Sequence, residues 1–119
     1  MKLRIQGNSL RFRLTRSEVA GLHESAIIEE TTYFSVDSGL TYRIRKGAGG
    51  DIRAEFTDGA ITVHVPANMI DGWATSDNVG INARDGQLRI AIEKDFRCLT
   101  RREEDEVDAY PHPVEEASY

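Results

Sequence analysis

The sequence has one cysteine, three prolines and three histidines in 119 residues. With Cys98 alone, no disulfide can form within the chain, and a reducing compartment is the expectation. No window is long or apolar enough to cross a bilayer. The opening stretch MKLRIQGNSLRFRL alternates apolar and polar residues, so it lacks the unbroken apolar centre of a signal peptide. A cytoplasmic location follows as the expectation. A closed zinc site needs pairs of Cys or His two to four residues apart, a spacing that Cys98 and His112 do not supply, even with the acids Glu103 to Asp108 beside them. The glycine-rich KGAGGD lacks the Lys-Ser/Thr ending of a phosphate loop and precedes a strand pattern instead of a helix. It reads as a linker. Neither His23 nor His64 has an acid and a nucleophile beside it in a recognisable catalytic set. No cofactor or metal is expected, and the chain reads as non-enzymatic, with an enzyme or metal protein whose site is invisible in sequence as the last alternative.

What is present is alternation. Hydrophobic residues make up 39% and charged residues 29% of the chain, the balance of an ordinary globular domain. Leu10, Phe12 and Leu14 alternate with Arg11 and Arg13 after the turn tripeptide GNS, which predicts a hairpin with the three apolar side chains inward. Thr15 and Glu18 have the spacing of a capping box, and Val19 and Leu22 lie on one face of the short helix that follows. His23 falls near the end of that helix, where an imidazolium meets the helix dipole. A strand from about Ile27 to Phe34, a turn at DSG and a strand bearing Leu40, Tyr42 and Ile44 inward complete a β-β-α-β-β unit.

After KGAGGD the pattern starts again. Ile52, Ala54 and Phe56 share one face, TDG turns, and Ile61, Val63 and Val65 share the next, which leaves His64 facing outward. Pro66 suits a first helical turn, and Met69, Ile70 and Trp73 follow at helical spacing, Trp73 reading as core. Two more strands join at RDG, with Leu88, Ile90 and Ile92 inward. An offset of 51 pairs Leu10 with Ile61, Phe12 with Val63, Leu14 with Val65, Val19 with Ile70 and Leu22 with Trp73. Inward positions match inward positions. The expectation is a mainly β protein with two short helices, of α+β class: residues 1–96 form one domain from the repeats 1–46 and 51–96, paired about a pseudo-twofold axis in one barrel.

The segment RIQGNSLRFRLTRSEVAGL resembles the swapped-hairpin domains of AbrB/MazE type. Gly7, Asn8, Ser9, Arg13 and Leu14 match that pattern, while Gln6 stands where tryptophan is usual and Thr15 where proline is usual. The second repeat supplies the proline, in VHVPANMI. The resemblance implies a fused pseudo-dimer with exchanged hairpins. It also implies one of two activities, DNA binding by a transcriptional regulator or masking of a toxin by an antitoxin with an acidic arm. By position the nucleic-acid candidates are Arg4, Arg11, Arg13 and Arg16, whose counterparts at offset 51 are Glu55, Thr62, His64 and Ala67. Through IEKDFRCLTRREEDEVDAYPHP the whole chain also resembles a group of short bacterial proteins that carry no assigned activity.

Net charge is −5, but its sign changes along the chain. Residues 1–50 hold eight Lys or Arg against five acids, residues 51–100 five against eight, and residues 101–119 two against seven. The acidic second half counts against a symmetric grip on DNA, and it favours a small regulatory or protein-binding module whose partner is another protein. The chain is expected as a monomer or weak homo-oligomer with no membrane partner. Residues 97–119 form an acidic extension, partly ordered or flexible, with one helical turn near Arg101 and Asp105. Its candidate partner-binding residues are Phe96, Leu99, Glu103, Glu104, Asp105 and Tyr110.

Overall fold

The computed structural model describes residues 1–96 and Tyr110. Strands β1 (Lys2–Gln6) and β2 (Ser9–Leu14) form the first hairpin, followed by helix α1 (Arg16–Ser25) and the hairpin of β3 (Ile27–Ser35) and β4 (Ser38–Gly47). The second half repeats that order with β5 (Arg53–Thr57), β6 (Ala60–Pro66), α2 (Ala67–Ala74), β7 (Gly80–Asp85) and β8 (Leu88–Lys94). Turn chemistry explains the close hairpins. Asp58 and Gly59 both take positive φ, 53° and 75°, as a two-residue turn of mirror-image type requires. Thr15 caps α1 as expected: its hydroxyl accepts from the Glu18 amide, and the Glu18 carboxylate accepts from the Thr15 amide at 2.8 Å.

The four hairpins assemble into two four-stranded sheets, and each sheet takes one hairpin from each half. Sheet A runs β1-β2-β8-β7 and sheet B runs β3-β4-β6-β5. The joins between halves are parallel: β2 lies on β8 with Phe12 against Ile92, and β4 lies on β6 with Ile44 against Val63. The expected single barrel is not formed. Strands β1 and β7 end one sheet and β3 and β5 end the other, so both sheets stay open and their inner faces meet across a core. Between those edges, the Ala54 amide donates to Asp85 Oδ2 at 2.9 Å.

The five apolar pairs aligned above at the offset of 51 are all buried, from Leu10 with Ile61 to Leu22 with Trp73. Phe12, Leu14, Leu22, Ile44, Val63, Val65, Ile70 and Ile92 are fully enclosed, each contributing about 1.5–3 kcal/mol relative to exposure. Trp73 donates its indole N–H to the Val79 carbonyl at 3.2 Å, and the Lys94 ammonium stands 5.8 Å from its ring centroid. Leu40, Tyr42, Ala54 and Leu88 pack against this cluster half-buried. Two inward expectations fail. Phe56 is 69% exposed because it sits on edge strand β5 at the turn end, beyond the reach of sheet A. Met69 is 41% exposed because Ile70 and Trp73 take the core-facing side of α2. Pro66 precedes α2 as its N-cap and still pairs with Gly47 at the end of β6.

The helices meet through a polar clasp. Asp71 Oδ1 of α2 lies 2.7 Å from His23 Nδ1 of α1 and 2.5 Å from Lys46 Nζ of β4, and Lys46 also donates to the His23 carbonyl at 2.7 Å. His23 does fall in the last turn of α1. The Lys46 hydrogen bond, then that of His23, hold the Asp71 carboxyl below its usual range against a smaller opposing effect of burial. At the other flank of α1 the Met1 ammonium meets Glu18, and Glu30 Oε1 at 3.0 Å, while Tyr42 donates to Glu30 Oε2 at 2.9 Å. Burial pulls the ammonium pKa down, but the two carboxylates outweigh it and the net shift is upward.

Four outcomes test this arrangement. Phe12→Ala should cost about 3–5 kcal/mol. Because both sheets mix the halves, urea melts followed by Trp73 fluorescence in the second half and by far-ultraviolet dichroism should shift together; separate midpoints would refute the shared core. Ala26, which ends α1 at φ 68°, is strained where glycine is not. Ala26→Gly should therefore raise stability by about 0.5–1 kcal/mol, read from the urea midpoint. For Asp71 the folded pKa is depressed, so its contribution is present above the ordinary value of 3.8 and disappears as pH falls through the lower folded value. The unsubstituted protein should lose stability across that acid window more steeply than Asp71→Asn, and superimposable pH profiles would count against the clasp.

Candidate functional site

Strand registers define the outer face of sheet A row by row. Lys2, Arg13, Glu93 and Gly80 lie side by side; the next row is Arg4, Arg11, Ala91 and Asn82; the row nearest the turns is Gln6, Ser9, Arg89 and Arg84. Alternation puts these side chains outward because Leu3, Phe12, Ile92 and Ile81, and then Ile5, Leu10, Ile90 and Ala83, fill the rows facing the other sheet. Of the four arginines expected as a cluster, three share this face. Arg16 does not: it begins α1 and lines a separate hollow with Val19, His23 and Phe96.

Sequence reasoning missed Arg84 and Arg89. Alignment at offset 51 hides them, because it sets the arginines of the first repeat against Glu55, Thr62, His64 and Ala67. Those positions, Glu55, Thr62 and His64, belong to sheet B, and Ala67 begins α2. The arginines that complete the basic face arrive on the β7–β8 hairpin, which joins sheet A through β8.

The charges on this face are poorly matched. Lys2 pairs with Asp95 at 3.3 Å, and one carboxylate oxygen of Glu93 lies 3.8 Å from Arg11 Nε and 3.7 Å from Arg13 Nε without a hydrogen bond. Among the described residues Arg4, Arg84 and Arg89 take part in no ion pair. Two like-charge pairs stand directly opposite across neighbouring strands, Arg4 with Arg11 and Arg84 with Arg89. Such pairs oppose folding, where opposite charges at the same positions would favour it. Between them lies a concave hollow of about 730 Å³ lined by Arg11, Arg84 and Arg89, with Gln6, Ser9 and Asn82 as neutral hydrogen-bonding groups. An anion held there would neutralise repulsion already present in the fold.

Sheet B offers a contrast. Arg43 Nε binds Glu29 at 2.8 Å and its guanidinium also donates to Thr62 at 3.0 Å, while His64 Nε2 lies 2.8 Å from Glu55. His64 does face outward, and its bond is the main reason the Glu55 carboxyl lies below its usual range. Among the described residues no group of three or more His, Cys, Asp or Glu converges, and no helix is long and apolar enough to cross a membrane. Of the acidic-arm candidates, Phe96 is 61% exposed and Tyr110 is exposed. Leu99, Glu103, Glu104 and Asp105, like Cys98, Arg101 and His112, lie outside the described residues.

No curated protein and no solved structure matches the chain. The model of a family of unknown function, DUF7009, matches residues 1–114, and the chain belongs to that family.

Proposed function

We propose that this protein is a regulator that binds the phosphate backbone of nucleic acid through the outer face of sheet A. The observation that carries the reading is the gathering of Arg11, Arg84 and Arg89 around one hollow, with Arg4 directly opposite Arg11 on the neighbouring strand. Cations held at strand spacing, rigid in a sheet and flanked by Ser9 and Asn82, suit a repeating row of phosphates; they lack the reach of a helix that reads base edges. Binding is therefore expected to depend on salt more than on sequence. The exchange of hairpins between halves supports the likeness to the swapped-hairpin domains of AbrB/MazE type, with one departure. The basic surface is built from the outer hairpins of both repeats within one chain, so it forms one composite face in place of the two equal half-faces of a symmetric pair.

A second reading, in which the partner is another protein, has one observation in its favour. Tyr33, Phe34, Val36, Phe56 and Ile5 stand exposed at the turn end of the molecule. That surface is separate from the arginine face.

Fluorescence anisotropy with a labelled DNA duplex, titrated at several salt concentrations, tests the proposal. The logarithm of affinity should fall linearly with the logarithm of salt, and Arg84→Ala should lower that slope by about 0.9, as loss of one phosphate contact requires. Glu93→Gln should tighten binding, since it removes the acid among the arginines. Arg45→Ala, on sheet B, should leave both affinity and slope unchanged. Absence of binding at about 50 mM salt, or equal effects of Arg84→Ala and Arg45→Ala, would refute the assignment.

A further inference from the structure

The end of the molecule away from the helices has no explanation in the arginine face. Within each sheet the hairpin turns point the same way: the Arg89 amide donates to the Asn8 carbonyl at 3.0 Å and sets the two turns of sheet A side by side, while in sheet B the Thr41 amide donates to the Gly59 carbonyl at 3.0 Å, so the β5–β6 turn meets the β3–β4 hairpin partway along and the β3–β4 turn lies further out. Among the described residues no helix covers this end, because α1 and α2 link the opposite ends of the strands. The inner faces of the sheets therefore open into an apolar mouth of about 540 Å³, lined by Ile5, Leu10 and Leu88 from sheet A and by Leu40, Phe56 and Ile61 from sheet B. Ile5 is 58% exposed and Phe56 69%.

Beside the mouth the β3–β4 hairpin runs on alone. Strand β6 pairs with β4 only from Thr41 onward, so among the described residues the segment 32–40 forms a two-stranded ribbon with no third strand. Its end carries Tyr33, Phe34 and Val36, exposed at 73%, 73% and 95%. A ribbon of two strands is marginal in water without packing, and aromatic residues at its tip add to the apolar area left in solvent.

We propose that a second copy of this chain occupies the mouth, each copy inserting its β3–β4 ribbon into the apolar opening of the other. Both halves of the contact are on every chain and at the same end, so one two-fold axis across that end satisfies both insertions at once and closes the assembly at two. The area fits. An aromatic side chain carries about 150–250 Å², so Tyr33, Phe34 and Phe56 with the two aliphatic residues leave roughly 600 Å² of apolar surface open per chain, near the upper bound for a monomer. A standard interface takes about 800 Å² from each partner. The pair should therefore be reversible, with a dissociation constant on the order of 1–100 µM. Charge does not oppose it: Glu55, the acid at the mouth, is held by His64, and the ribbon tip brings only Asp37. This inference does not depend on nucleic-acid binding.

Sedimentation equilibrium of the full chain from about 1 µM to 1 mM tests it. The mass should rise from 13.3 kDa towards twice that value. Phe34→Glu and Phe56→Glu, at exposed positions, should keep the circular dichroism spectrum and remain monomeric, while Arg45→Ala should associate as the unsubstituted chain does. Without any substitution, amide exchange at Tyr33 and Phe34 should slow as concentration rises. A chain that stays monomeric throughout overturns the proposal, and if that monomer binds 8-anilinonaphthalene-1-sulfonate the mouth belongs to a small apolar ligand. Association that survives both glutamate variants, or exchange that ignores concentration, overturns it equally.

Discussion

Two parallel strand pairings hold this protein together, β2 on β8 and β4 on β6. Parallel neighbours cannot be joined by a tight turn, so each of these ladders ties segments far apart in the chain. Neither half can close its own core. The β1–β2 hairpin of the first half finds its neighbour only in β8, and the β5–β6 hairpin of the second finds its neighbour only in β4. Burial of Phe12 against Ile92, and of Ile44 against Val63, is consequently an interaction between the repeats. The helices then close one end of the space between the sheets, joined by Asp71 with His23 and Lys46.

The same exchange determines where charge accumulates. Read along the chain, Arg84 and Arg89 sit in an acidic stretch, and Arg4 and Arg11 in a basic one. In the folded sheet they share one face, with Arg11, Arg84 and Arg89 around one hollow, while Glu55, which sequence position aligns with Arg4, is carried to the other sheet beside His64. A charge gradient measured along a chain therefore says little about surfaces when strands from both halves interleave. The hollow's repulsion is also long-lived in a physical sense: strand positions are fixed by backbone hydrogen bonds and by the apolar rows beneath, so the guanidinium groups move apart only as far as their own side chains allow.

Much of the local structure was legible in the sequence because it rests on local rules. Period two placed Leu10, Phe12, Leu14, Ile90 and Ile92 in the core, and the Thr15–Glu18 spacing located the start of α1. The repeat itself was legible because Val19 with Ile70, and Leu22 with Trp73, kept their spacing from the strands. What failed is non-local. Period two cannot tell Phe56 from Ala54, since both alternate correctly on β5; only the position of sheet A decides that Ala54 is covered and Phe56 is not. The open sheets in place of a barrel have the same origin, because no residue in β1 or β3 announces that its outer edge will stay unpaired. For the arginine face the missing information was which hairpin lies beside which, and two residues of it lay outside the offset that revealed the repeat.

The arginine face and the apolar mouth lie on different sides of the same strands, so a contact at one leaves the other open. A single chain presents one basic face, on sheet A, and the counterpart face on sheet B is charge-paired through Arg43 with Glu29 and His64 with Glu55. One chain therefore has no second equal surface with which to meet a symmetric site. Two chains joined as proposed at their turn ends would regain it, because the two-fold axis that lets each ribbon enter the other's mouth also generates a second copy of the face bearing Arg4, Arg11, Arg84 and Arg89. The symmetry that one chain lacks would thus be supplied between chains, with the apolar residues at the turn end positioning two basic faces they do not themselves touch.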